Sequence, residues 1–192
     1  MANVKDISSD YQTPDYVCDY MVSLLPESSL KVLEPTPGIG NLVKSLESKG
    51  FEVDYPKDYF LERSRILKTE YDAIVCNLPF SAGSAILDNA PDHYKSKTGL
   101  NFGYKMLFEM INLSDVVIAL LPWCTLTDSD VRMRFLGKNG LKSVTTLPRR
   151  AFDYIRISTC VIEVEKGYVG PVEFKVFDLL TDNKFNKPEL KL

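Results

Sequence analysis

Two short runs hold residue types that can do chemistry. The first is Asn77-Leu78-Pro79-Phe80, which follows the apolar stretch Ala73-Ile74-Val75-Cys76. It gathers a side-chain amide, a rigid proline and an aromatic ring within four residues of a strand end. The Asn77 amide oxygen can accept a hydrogen bond from an amino group, and a backbone carbonyl at Leu78 or Pro79 can accept a second. Two acceptors aimed at one NH2 point its nitrogen lone pair at an incoming electrophile. That is catalysis by positioning, and it needs no strong base. Phe80 offers a face on which a flipped-out base can stack. Taken alone, the four residues also read as a strand-ending turn with a packing phenylalanine.

The second run is Glu34-Pro35-Thr36-Pro37-Gly38-Ile39-Gly40, set between a strand and a helix. Gly38 and Gly40 allow a tight turn and close approach of the backbone to a ligand. The dinucleotide fingerprint needs a third glycine, but position 43 is Val43. Glu34 would repel a phosphate, whereas a carboxylate there suits an ammonium or a hydroxyl-bearing ligand. The interval from Gly40 to Asn77 holds one helix, one strand and a short connector. Both runs are therefore expected at the carboxyl ends of adjacent central strands, facing one crevice.

The elements that must position these runs alternate in the manner of an α/β fold. Thr13-Pro14 reads as a helix start, with Thr13 as the N-cap. Tyr16, Val17, Tyr20, Met21, Leu24 and Leu25 continue it at helical spacing. Leu30 to Pro35 reads as a buried strand, and Asn41 to Lys49 as a helix ended by Gly50. Phe51 to Tyr55 is a second strand, and Asp58 to Glu70 holds a short helix. Tyr71 to Phe80 is an apolar strand running into a turn. Ser81 to Gly99 reads as a mobile loop and as the nearest local substrate contact. A helix from Leu100 to Asn112 precedes a buried strand, Asp115 to Pro122. Another helix runs from Asp128 to Gly137, capped by Thr127 or Asp128. Leu141 to Pro148 and Ser158 to Gly167 read as closing strands, with Val172 to Leu180 as one more. The expected architecture is a Rossmann-like, mostly parallel sheet with helices on both faces and an antiparallel closing hairpin.

Size and composition narrow the function classes. The chain has 192 residues, 45% hydrophobic and 26% charged, and fits one globular domain, 1–192. No apolar run spans a bilayer and the N-terminal stretch is polar, so the expected location is cytoplasmic. Cys18, Cys76, Cys124 and Cys160 are scattered without a CxxC pair, and His93 is the sole histidine, so no metal is expected and free thiols are. A net charge of −3 does not advertise a strong polyanion binder. A nucleic-acid substrate would need a partner or a local basic patch. The densest cluster is Arg149, Arg150 and Arg156 with Lys138 and Lys142 upstream, which also reads as a solvated face.

Together, Leu33-Glu34-Pro35-Thr36-Pro37-Gly38-Ile39-Gly40 and Asn77-Leu78-Pro79-Phe80 resemble the cofactor and catalytic motifs of the S-adenosylmethionine-dependent adenine-N6 DNA methyltransferases. Tyr11-Gln12-Thr13-Pro14 resembles the family's cofactor-contacting segment before the first strand. Asp58-Tyr59-Phe60-Leu61 resembles its acidic segment at the cofactor adenine. Residues 147–167 resemble the late strand pair of the type I-like, gamma-class branch. The resemblance covers Tyr11 to Gly167.

It implies the class I methyltransferase fold, S-adenosyl-L-methionine as cofactor, and methyl transfer to the N6 amino group of adenine in DNA. It places Tyr11, Thr13, Pro14, Glu34, Pro35, Gly38 and Gly40 along the methionine side of the cofactor and Asp58 at its adenine. Asn77, Leu78, Pro79 and Phe80 would hold the target base. The ribose-binding acid has no clear match, and Asp54 or Asp58 serves. Leu78 stands where a first proline is usual, a pattern shared with the rRNA dimethyladenosine methyltransferases, so RNA stays open as the substrate. No stretch suffices for a target-recognition domain, which points to a specificity subunit or a homo-oligomer as partner. A cofactor-binding subunit that depends on an active partner is the non-enzymatic alternative. A protein glutamine amide is the alternative acceptor.

Overall fold

The computed structural model describes residues 12–80, 88–95, 99–152 and 157–177. Seven strands form one sheet in the order β2-β1-β3-β4-β6-β5-β7. They are β1 (Lys31–Leu33), β2 (Glu52–Asp54), β3 (Ala73–Asn77), β4 (Val116–Pro122), β5 (Leu141–Leu147), β6 (Thr159–Glu165) and β7 (Glu173–Val176). The β1–β2, β1–β3, β3–β4 and β5–β7 pairs are parallel, and β6 runs antiparallel to both β4 and β5. The sheet is thus mixed, with a parallel half that carries both sequence motifs and an antiparallel closing pair.

Alternation along the strands sends residues i and i+2 to the same face, so each face needs its own helical cover. On one face, α1 (Asp15–Ser23) and α2 (Asn41–Ser48) bring Val17, Met21, Leu42 and Leu46 onto Val32, Val75, Ile118 and Leu120. On the other, α3 (Tyr59–Ile66), α4 (Gly99–Leu113) and α6 (Asp130–Lys138) bring Tyr59, Phe102, Met106 and Leu136 onto Leu33, Ile74, Cys76, Val117 and Ala119. Burying each such aliphatic side chain contributes roughly 1.5–3 kcal/mol. Cys18, Cys76 and Cys160 are free thiols in these layers, and Cys124 is half-buried.

Several local expectations are corrected. Pro14 is the N-cap of α1, with no side-chain cap, because Thr13 lies buried and turns elsewhere. Neither Thr127 nor Asp128 caps α6; Ser129 does, its hydroxyl accepting from Arg132 N at 3.4 Å. Residues 124–127 form an extra short helix, α5 (Cys124–Thr127), which pushes that start along the chain. Leu30 is 74% exposed, so β1 is shorter than the apolar run implied. Residues 88–95 of the expected mobile loop are anchored: Ala90 and Tyr94 are buried, and the Tyr94 hydroxyl donates to Glu109. Residues 81–87 and 96–98 of that loop lie outside the described residues.

Chain order fixes where ligands gather. From β1 the chain crosses through α2 to β2 on one side, then returns through α3 to β3 on the other side of β1. A crevice opens outside the carboxyl ends of strands where connections diverge in this way. Glu34 follows β1 and Asn77 ends β3, so both motifs stand at that carboxyl edge of the sheet.

Candidate active site

The turn after β1 is built around a buried acid. Glu34 is 1% exposed, and its Oε1 accepts from Thr36 N at 2.8 Å and Thr36 Oγ1 at 3.3 Å. Its Oε2 is buried with no hydrogen-bond donor among the described residues. Burial pushes the carboxyl up to about 8, against the two bonds from Thr36. A buried polar atom left unpaired costs roughly 1–3 kcal/mol. A ligand ammonium or hydroxyl that reached Oε2 would remove that cost, so the acid fits the amino-acid end of S-adenosylmethionine.

Beyond the buried Pro35, the loop depends on glycine. Gly38 and Gly40 have φ of +57° and +90°, a region other residues rarely adopt. A Cβ on Gly38 would also sit 2.5 Å from Gln12 Oε1. That same oxygen accepts from Ile39 N at 3.1 Å, so Gln12 lies on the loop. Gly40 caps α2, and Asn41 Nδ2 donates to Thr13 O at 2.9 Å. The Thr13-Pro14 segment is thereby tied across the glycine turn, while Tyr11 lies outside the described residues.

The turn after β3 meets the first one directly. Thr36 Oγ1 donates to Asn77 O at 3.1 Å, and Asn77 Nδ2 donates to Thr13 Oγ1 at 3.0 Å. The second bond directs the donor end of the amide to Thr13, so Oδ1 is the accepting end. Leu78 is buried in the core, so only its backbone can serve a ligand. Pro79 and Phe80 are half-buried at the crevice. Phe80 rests on Gly103 of α4, where a Cβ would lie 2.4 Å from the ring, and meets Tyr104 edge-on at 5.7 Å between centroids.

The two candidate ribose acids hold structural partners. Asp54 receives a two-pronged bond from Arg65, 2.6 and 3.0 Å, and one from the Tyr71 hydroxyl at 2.5 Å. Arg65 above all holds its carboxyl below the usual range. Asp58 caps α3, accepting from Phe60 N at 2.9 Å and Leu61 N at 3.2 Å, and its other oxygen accepts from Asn89 at 2.7 Å. Behind it, Glu109 accepts from Tyr59, Tyr94 and both prongs of Arg63, which joins α3, α4 and the 88–95 segment into one wall.

The expected basic cluster comes apart. Lys142 is consumed by Glu163 and Glu165 at 2.9 and 2.8 Å. It stands with Lys138 at the opposite end of β5 from Arg149 and Arg150, and Arg156 lies outside the described residues. Sequence reasoning passed over Thr36, Gly103, Tyr104 and Arg132. Gly103 carried a readable signal, since a glycine inside a helix costs about 1 kcal/mol against alanine and needs a packing reason.

No family model matches the sequence, and no curated protein matches it. Solved structures do match. A protein described as a modification subunit of a type I restriction enzyme from Vibrio vulnificus YJ016 aligns with TM-score 0.62 and 18% identity, over 89% of this chain and 48% of that one. A type I restriction-modification methyltransferase subunit from Streptococcus thermophilus gives 0.59 and 18%, over 87% and 47%. A protein described as a class I S-adenosylmethionine-dependent methyltransferase from Listeria monocytogenes gives 0.56 and 15%, over 88% and 66%. The fold is an α/β methyltransferase fold. The chain spans about half the length of the type I subunits it matches.

Proposed function

We propose that this chain is an S-adenosylmethionine-dependent methyltransferase acting on the N6 amino group of adenine in DNA. The observation that carries the reading is the joining of the two turns. Thr36 and Thr13 tie the Glu34 turn and the Asn77 amide together at one crevice.

In this reading the bound cofactor supplies a methyl group on a positively charged sulfur. The buried Glu34 holds the amino-acid end, with Gly38 and Gly40 allowing the backbone close. Tyr11, Thr13, Pro14 and Pro35 complete that side, and Asp58 or Asp54 faces the nucleoside end. Phe80 stacks the extruded base. Asn77 Oδ1 and a carbonyl at Leu78 or Pro79 accept from its amino group, which aims the nitrogen lone pair. No general base is needed before transfer, and the surplus proton leaves to solvent afterwards.

A partner that selects the DNA sequence belongs to the proposal, as a specificity subunit or a second copy. The cytoplasm, where DNA and donor coexist, is the proposed location. The test is incubation with methyl-labelled donor and, separately, duplex DNA, RNA and protein, with the product identified by mass spectrometry. N6-methyladenine in DNA supports the reading. Label confined to RNA or to glutamine overturns its acceptor, and no label anywhere favours a subunit that depends on another protein.

A further inference from the structure

A protein of net charge −3 that handles nucleic acid must place cations locally. Arg149 and Arg150 follow β5 at the same carboxyl edge as Phe80, but three places from β3 in the sheet. The first turn of α6 sets a cation directly against the ring that meets Phe80. Arg132 lies with its guanidinium carbon 3.4 Å from the Tyr104 ring centroid, and Tyr104 is the ring set edge-on against Phe80. Arg132 Nη2 also donates to Asn101 Oδ1 at 3.3 Å. Chain direction puts all of these at one rim: α4 begins, and β3 and β4 end, at the carboxyl edge of the sheet, and α6 starts just beyond β4.

The face of the guanidinium is covered while its edge keeps donors beyond the one given to Asn101. A guanidinium fixed this way is shaped for two parallel bonds to a phosphate. Among the described residues no carboxylate lies within 4.0 Å of it. Asp128, nearby in the chain, accepts from Thr127 Oγ1 at 3.1 Å instead. By contrast Arg63, Arg65 and Arg134 all hold carboxylates at 2.6 Å.

We propose that Arg132, stacked on Tyr104, is the backbone-phosphate contact for the DNA strand whose extruded base stacks on Phe80. This rests on the nucleic-acid reading of the Asn77 pocket and sharpens it. A protein glutamine acceptor carries no phosphate and would have no use for this cation.

The experiment is fluorescence anisotropy of the full chain with a labelled adenine-containing duplex, titrated from about 50 to about 300 mM salt. For wild type, log affinity falls linearly with log salt. Arg132→Gln should weaken binding several-fold at the low-salt end and flatten the slope by about 0.9, the loss of one phosphate contact. Arg132→Lys keeps the charge and should restore the slope, though with weaker binding, because an ammonium cannot form the planar fork. Wild type that binds and methylates DNA, with an unchanged slope in Arg132→Gln, overturns the Arg132 assignment alone. Arg132-dependent binding without methyl transfer supports that assignment and overturns the Asn77 chemistry. Methylation of glutamine without duplex binding overturns both.

Discussion

Gly103 offers the sharpest test of how Phe80 is held. In a helix interior, alanine is favoured over glycine by about 1 kcal/mol, so Gly103→Ala should stabilise an unconstrained helix. Here the added Cβ would stand 2.4, 2.5 and 2.8 Å from three Phe80 ring atoms, Cδ1, Cε1 and Cγ. Carbon contacts prefer about 3.5–4.0 Å, so the ring must move by roughly 1 Å. Overpacking of that kind costs about 1–3 kcal/mol. The net change is a loss of up to about 2 kcal/mol, or a melting point lower by several degrees at this size. Turnover should suffer more than stability, since a misplacement of ~1 Å at a reacting group can cost about 100-fold. A double-mutant cycle decides the cause. In a Phe80→Ala background the clash is gone, and Gly103→Ala should raise stability by about 1 kcal/mol. If Gly103→Ala raises the melting temperature of the wild-type protein and leaves turnover alone, Phe80 is not held by this glycine.

Two other perturbations probe the tied turns. Glu34 has a folded pKa of about 8 against an ordinary 4.5, so the folded state binds the extra proton between those values. Stability should therefore be greatest below pH 4.5 as far as this group is concerned, and fall as pH rises toward and through 8. Glu34→Gln should remove that fall in melting curves taken from pH 5 to 8.5, and should weaken donor binding at pH 8. A melting temperature with the same pH dependence in both proteins speaks against the buried acid. Thr13→Val deletes the acceptor for Asn77 Nδ2, and it should lower kcat at least ten-fold while changing donor affinity less. Thr13→Ser should restore kcat. Equal losses in both variants would mean the hydroxyl does not orient Asn77.

The placement of the two turns side by side was legible in the sequence because both motifs are local. Strand, turn and helix follow one another around Gly38, and the apolar run into Asn77 sets the second strand end. Hydrophobic alternation also placed the closing pair, β5 and β6, and the extra strand β7. What was hidden depends on contacts distant in sequence. Thr13 looks like a helix cap, yet its hydroxyl is taken by Asn77, sixty-four residues on. Asp54 and Asp58 read as ligand acids, and nothing in that local pattern shows their bonds to Arg65 and to the α3 backbone. The basic run around β5 looked like a patch, but strand geometry sends Lys142 and Arg149 to opposite ends. The stacking of Arg132 on Tyr104 is likewise a contact that no local pattern could reveal.

Asn77→Ala, followed by donor binding and methyl transfer on the same preparation, isolates the part the amide plays. Donor affinity should stay within a few-fold of wild type by calorimetry, and no labelled N6-methyladenine should form in duplex DNA. Transfer at the wild-type rate would contradict that role, because the amide would then have no part in holding the amine.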